Sequence, residues 1–203
     1  MSPLTTTRRG LLALALLGAT PHLAGAQVDT GRATAFIQAA GDELVAVINN
    51  TGLNAAARQD RVAAILRRTV DIEGVGRFVL GRFWRSATPA EQQEYLRLFE
   101  ASLIRNLAGR FGEYQGVRFS LGRTQSRTED DALVSTVVQR PGQAAFNLDW
   151  RVSEVGGQPR IVDLIAEGTS LRLTQRSEYA SVIQRGGGQV SALITAMRAQ
   201  AAR

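Results

Sequence analysis

Apolar positions in the first half of the chain recur every three or four residues, which is the period of an amphipathic helix. Two such runs cover residues 30–49 and 55–69. Asp71 is a typical helix-capping residue, and the short apolar run behind it ends at Gly81, a residue favoured just after a helix. The pattern therefore predicts three helices before residue 82.

A fourth helix has the clearest start signal in the chain. In the run Thr88-Pro89-Ala90-Glu91, Thr88 suits the cap, Pro89 suits the first turn, and Glu91 completes a capping box. The predicted helix places five large apolar residues on one face, at steps of three or four: Leu96, Phe99, Leu103, Leu107 and Phe111.

Beyond residue 116 the period changes from helix to strand. Residues 144–152 alternate between apolar residues, such as Phe146, Leu148 and Trp150, and mostly polar ones. This strand is therefore predicted to have one apolar and one solvent-exposed face. Further strands are predicted at residues 117–121, 133–139, 160–166 and 170–174, and closing helices at about 175–185 and 189–201. Short links between strands favour antiparallel pairing. The fold class is therefore α+β, a twisted antiparallel sheet with helices packed on one face.

The N-terminal residues predict export. Arg8 and Arg9 precede an apolar run at residues 11–19 that is too short to span a bilayer, and Ala24-Gly25-Ala26 matches an A-x-A cleavage site. We expect a cleaved signal peptide at residues 1–26 and a single domain at 27–203, located in the periplasm. The arginine pair also resembles a twin-arginine export signal.

The amino-acid composition excludes most types of catalytic site. The chain has no Cys and no Lys, and its one His, His22, lies inside the predicted signal peptide. Nucleophilic triads, Schiff bases and P-loops therefore cannot be built in the exported chain, and zinc sites usually need Cys or His. A site made of two carboxylates is the remaining enzymatic option.

The positive charge is concentrated near the C-terminus. The net charge of the chain is +6, and residues 168–203 carry five arginines against one acid. Such an end can steer a protein to an anionic surface or an acidic partner, or can be a solvated helix face. Nucleic acid is not an expected partner, because the arginines are not grouped with stacking aromatics.

Asp163 stands among Ile161, Val162 and Leu164, so it is expected to be partly buried and to need a partner. Arg176 or the backbone of the turn after residue 166 could supply that partner. Pairing Asp163 with Glu167 as two catalytic acids is disfavoured, because four residues along one strand span roughly 13 Å.

Two stretches of this chain together resemble the MlaC family, also called the toluene-tolerance or phospholipid-binding family. The first runs from Asp71 to Trp84 and is followed by Thr88-Pro89. The second is the run D-L-I-A-E-G-T-S-L at residues 163–171, followed by Arg176 and Tyr179. The resemblance covers nearly all of the chain after the predicted signal peptide.

The resemblance implies an NTF2-like sheet with an apolar cavity between the sheet and the helices. It implies a monomeric carrier, not an enzyme, that holds phospholipid as cargo and needs no metal or cofactor. Its implied role is to shuttle glycerophospholipid between outer and inner membranes. The implied partners are an inner-membrane ABC transporter complex with an MCE-domain protein and an outer-membrane lipoprotein complex. A carrier of another apolar lipid such as a hopanoid, a carboxylate-based envelope hydrolase, and an adaptor with a filled core remain alternatives.

Apolar alternation alone does not separate a filled core from a lined cavity. On the cavity interpretation, the lining residues are expected to be Phe78, Val79, Trp84, Phe99, Leu103, Leu107, Phe111, Phe119, Phe146, Leu148, Trp150, Leu164, Leu171, Tyr179 and Ile183. A structural polar network is expected from Asp163, Glu167, Ser170 and Arg176.

Overall fold

The computed structural model describes residues 29–108, 114–128 and 130–202, with backbone only at residues 107 and 108. The predicted signal peptide, Phe111 and the side chain of Leu107 lie outside the described residues.

Within these residues, six helices precede and follow the sheet in the order that the sequence predicts. They are α1 (Thr30–Asn49), α2 (Ala55–Thr69), α3 (Ile72–Leu80), α4 (Pro89–Ala108), α5 (Leu171–Arg185) and α6 (Val190–Ala201), with a 3₁₀ turn at Gly81–Arg85. As far as the described residues extend, none of the helices is both long and apolar enough to cross a bilayer.

The predicted helix starts are confirmed by their caps. The Asp71 side chain accepts a hydrogen bond from the backbone N–H of Gly74, and α3 ends at Gly81 with φ of +59°. Thr88 and Glu91 form the predicted capping box, with each backbone N–H donating to the other residue's side chain at 2.9 and 3.2 Å.

In the described part of the chain, the sheet contains five strands in sequential order, and neighbouring strands pair antiparallel, which confirms the predicted α+β class. The strands are β1 (Arg118–Ser126), β2 (Asp131–Gln139), β3 (Phe146–Val155), β4 (Gln158–Ala166) and β5 (Thr169–Ser170). The register of β3 and β4 shifts after Arg151, which pairs with Asp163, whereas Val152 pairs with Ile161. Val162 is therefore the extra residue of a β-bulge.

The predicted strand at residues 170–174 is wrong. Only Thr169 and Ser170 pair with β4, and α5 begins at Leu171. Ser170 ends the strand because its hydroxyl accepts a hydrogen bond from the backbone N–H of Leu173 at 3.2 Å. A side-chain cap of this kind favours a helix start over a continued strand.

Helix α1 covers one face of the sheet. Ala33 and Ile37 of α1 are buried against Ala132, Val134 and Val152, which lie on the same sheet face. A second buried cluster joins α1 and α2 with the end of α4 and the start of β1. These two clusters form the core between the helical layer and the sheet.

A third cluster consists of helices only. Buried side chains from α3 to α6 pack around Tyr95, which is fully buried and donates its hydroxyl hydrogen to the backbone oxygen of Gly76 at 2.9 Å. Helices α3 and α5 contact β4, so this helical cluster lies beside that strand of the sheet. The helices thus cover one sheet face and flank the β4 edge.

Candidate functional site

One corner of the helix-facing sheet surface is apolar and incompletely covered. Leu148 pairs with Ala166 and Trp150 pairs with Leu164 across β3 and β4, and Phe146 continues the same face at the start of β3. All five side chains remain partly exposed, although fully covered residues of β2 lie on the same face beside them. We call these five residues the apolar corner.

Hydrogen bonds fix the indole of Trp150 within the apolar corner. Its Nε1–H donates to the hydroxyl oxygen of Thr136 at 2.9 Å, and that hydroxyl donates to the backbone oxygen of Leu148 at 3.1 Å. Thr136 is only 1% exposed. The polar atom of Trp150 is therefore satisfied inside the protein, and the ring presents carbon surface to whatever covers the corner.

The structure places the predicted lining residues in three settings. Phe146, Leu148, Trp150 and Leu164 form the apolar corner together with Ala166. A second group lies in or against the helical cluster: Phe78, Val79, Trp84, Phe99, Tyr179 and Ile183.

The other described members of the predicted set belong to neither group, although Phe119 lies on the same sheet face as Phe146, with Val138 between them. Phe119 packs on α1, where its ring leaves no room for a side chain at Gly41. Leu103 is half-buried on α4, and Leu171 is 46% exposed at the start of α5. The predicted set is thus divided, and four of its described members lie in the apolar corner.

Two clefts in the described part of the chain open to solvent. A groove of about 450 Å³ lies among α2, α3, α4 and the β3–β4 hairpin. A smaller one of about 300 Å³ separates α1 from α2. Neither is lined by a residue of the apolar corner, so the expected cavity between the sheet and the helices stays a prediction.

Asp163 anchors the start of α5. Its carboxylate accepts hydrogen bonds from the Ser170 hydroxyl at 2.6 Å and from the backbone N–H of Arg172 at 3.2 Å. The Arg172 guanidinium lies 3.3 Å from the same carboxylate. Burial lowers the pKa of Arg172, against the opposing effect of Asp163.

Arg172 is thus the partner of the Asp163 carboxylate, the role for which the sequence analysis considered Arg176. The Arg176 guanidinium lies instead over the ring of Phe78, 5.0 Å from its centroid, and against Gly81. Glu167 is also separate from Asp163, since its carboxylate accepts a hydrogen bond from the backbone N–H of Asn147 at 2.6 Å. The two carboxylates considered for catalysis are therefore engaged with different structural partners.

A second buried carboxylate lies on the sheet face opposite the apolar corner. Asp131 accepts hydrogen bonds from the Arg151 guanidinium and the Ser153 hydroxyl. Burial raises the pKa of Asp131, but these hydrogen bonds outweigh burial and hold the pKa below its usual value. No group of three or more metal-ligating side chains occurs among the described residues.

The chain is similar to proteins of one family. A model of the MlaC protein family matches residues 38–199. Toluene tolerance protein ttg2D of Pseudomonas putida is 24% identical over 151 residues, which cover 74% of this chain and 70% of that protein. The solved structure of a phospholipid-binding protein from Ralstonia solanacearum, in complex with a phospholipid, aligns with a TM-score of 0.73 and 24% identity, covering 84% of this chain and 99% of that one. The structural likeness shows a shared fold.

Proposed function

The chain belongs to the MlaC protein family, and from that premise we propose that it is a periplasmic carrier of phospholipid. It shuttles glycerophospholipid between the outer and inner membranes as the soluble part of an ABC-type lipid transport system. Its partners on this proposal are an inner-membrane ABC transporter complex with an MCE-domain protein and an outer-membrane lipoprotein complex. The observation that supports lipid binding most strongly is the apolar corner.

Hydrocarbon is the cargo that suits this surface. Burying one methylene group is worth roughly 0.8 kcal/mol, so an acyl chain of ordinary length gains on the order of 10 kcal/mol when it leaves water. A carrier across an aqueous space must therefore offer apolar surface that its own core does not use. The part of Phe146, Leu148, Trp150 and Leu164 that the core leaves exposed is such a surface. The rest of Phe146, Leu148 and Trp150 packs against the core.

Carrying a lipid requires no catalytic side chain, which agrees with the composition of the chain. It has no Cys or Lys, and its one His lies at position 22. The buried carboxylates of Asp131 and Asp163 are held by Arg151 and Arg172. Both pairs lie on the sheet face opposite the apolar corner, where they satisfy buried charges of the fold.

Lipid analysis of the native protein tests the proposal. The exported protein is purified without detergent, extracted with organic solvent, and the extract is analysed by mass spectrometry against a weighed amount of protein. We expect glycerophospholipid in stoichiometric amount. A matched periplasmic protein of similar size, purified in parallel, controls for carry-over of membrane lipid.

The same extract separates the proposal from its nearest alternative. A hopanoid in place of glycerophospholipid would keep the carrier role and change the cargo. Repeated preparations that contain no lipid above the parallel control would contradict the proposed function.

A further inference from the structure

Arg140 lies at the rim of the apolar corner, directly after β2. Its guanidinium carbon is 5.5 Å from the ring centroid of Phe146 and 4.7 Å from that of Tyr114. Phe146 is the first residue of the apolar corner, so the charged group of Arg140 adjoins the proposed hydrocarbon-binding surface. Two aromatic contacts of this kind also restrict where the guanidinium can move.

The segment that carries Tyr114 is itself held in place. The backbone N–H of Gly116 donates to the side-chain oxygen of Asn49 at 2.8 Å, and the Asn49 amide nitrogen donates to the backbone oxygen of Val117 at 3.1 Å. Asn49 is the last residue of α1. The position of Arg140 is therefore set by the helical layer on one side and by β3 on the other.

Within the described residues, the guanidinium of Arg140 has neither a hydrogen-bond acceptor nor an ion-pair partner. Its Nε is buried and makes no hydrogen bond, and no described carboxylate lies within 4 Å of its guanidinium. Two other arginines have a buried Nε without a hydrogen bond, but each has compensation. Arg58 donates to the backbone oxygens of Asn50 and Leu53, and Arg172 faces Asp163.

Partial burial of a guanidinium is costly unless an acceptor satisfies it, and the aromatic faces of Tyr114 and Phe146 replace only part of its hydration. A phosphate group is the acceptor that best matches the planar fork of arginine, because two parallel N–H groups can donate to two of its oxygens. The rim position suits such a ligand, since a phospholipid has its phosphate at the boundary between its apolar tails and water.

We propose that Arg140 binds the phosphate of the phospholipid headgroup while the acyl chains lie on the apolar corner. This inference rests on the proposed function, and it names the residue that distinguishes a phospholipid from an uncharged lipid with the same tails. Because the phosphate is common to all glycerophospholipids, Arg140 selects the lipid class and not the individual headgroup.

Paired uptake of two lipids tests the inference. Lipid-depleted protein is incubated with phosphatidylcholine vesicles that also contain phosphatidylglycerol and diacylglycerol in equal amounts. These two lipids carry identical acyl chains, and both differ in mass from the phosphatidylcholine. The protein is then re-isolated, and the ratio of the two bound lipids is measured by mass spectrometry. We expect Arg140→Gln to lower the ratio of phosphatidylglycerol to diacylglycerol by roughly tenfold or more, the worth of a charge-assisted bond.

Two further variants control for charge and for folding. Arg123→Gln removes one positive charge from an exposed position on β1 and should keep the wild-type ratio. Arg140→Lys keeps the charge and much of the side-chain volume, and its ratio should fall between those of wild type and Arg140→Gln. Thermal denaturation of each variant verifies that the compared proteins are folded.

A wild-type ratio in Arg140→Gln would overturn the inference and leave the proposed function standing. Equal loss of both lipids in that variant would also overturn it, because Arg140 would then act only by packing. Failure of the wild-type protein to take up any phospholipid, the phosphatidylcholine of the vesicles included, would contradict the proposed function itself.

Discussion

Replacing Leu164 by asparagine changes the apolar corner with little change in side-chain size. Ile165, the next residue of β4, is also partly buried but points to the opposite sheet face. Ile165→Asn is therefore a matched control, because it introduces the same polar group at another partly buried position of the same strand. We expect only Leu164→Asn to weaken lipid binding.

The size of the effect follows from the partial exposure of Leu164. Full burial of a leucine is worth roughly 1.5–3 kcal/mol, and the free protein realises only part of it. A bound acyl chain would complete the burial of Leu164, whereas the amide of the introduced asparagine would be desolvated beneath the chain without a partner. We expect a loss of about 2–3 kcal/mol in lipid affinity, which is roughly 30- to 150-fold.

Lipid affinity is measured in a Trp84→Phe background by titrating lipid-depleted protein with phospholipid and following the fluorescence of Trp150, which pairs with Leu164 across β3 and β4. Urea denaturation gives the free energy of unfolding, which should fall by a similar amount, about 1–2 kcal/mol, in both variants. Equal lipid affinities for the two folded variants would refute the assignment of the apolar corner as the hydrocarbon-binding surface.

Three further predictions concern stability. Thr136→Val should lower the free energy of unfolding by about 1–2 kcal/mol in urea denaturation, because the indole N–H of Trp150 loses its acceptor. Thr136→Ser keeps the hydroxyl, so an equal loss of unfolding free energy in that variant would mean that the hydrogen bond is not the cause. Tyr95→Phe should cost about 1 kcal/mol for its buried hydrogen bond, and an unchanged urea midpoint would argue against that bond. The lowered pKa of Asp131 stabilises the fold above the unfolded pKa of about 3.9, and this contribution disappears as the pH falls through the folded value. Asp131→Asn should therefore be destabilising at pH 7 and less so at pH 3 in parallel urea titrations, whereas a pH-independent difference would mean that the ion pair with Arg151 is not the cause.

The element order follows from the sequence because each element has a local signal. The capping box at Thr88 and the glycine at position 81 were enough to place helix ends, and strict alternation was enough to place β3. The start of α5 was misplaced because Leu171 and Leu173 alternate as a strand would, although both are largely exposed. The serine cap at position 170 was the available signal against that strand.

The partner of Asp163 and the apolar corner depend on contacts that are distant in sequence. Arg172 takes the pairing role expected of Arg176 because α5 starts one turn earlier than predicted, which brings position 172 back to β4. The alternation in β3 predicts an apolar face but not how much of it the helices cover. Only the tertiary structure shows that Trp150 and Leu164 remain partly exposed.

The most direct experiment asks whether an acyl chain contacts the apolar corner. The chain contains two tryptophans, so Trp84→Phe leaves Trp150 as the sole reporter. Phospholipid brominated along its acyl chains should quench Trp150 fluorescence strongly, because bromine quenches only at near contact, and the same lipid without bromine should not. If the brominated lipid binds without quenching Trp150, its chains lie elsewhere, and the apolar corner is not the hydrocarbon-binding surface.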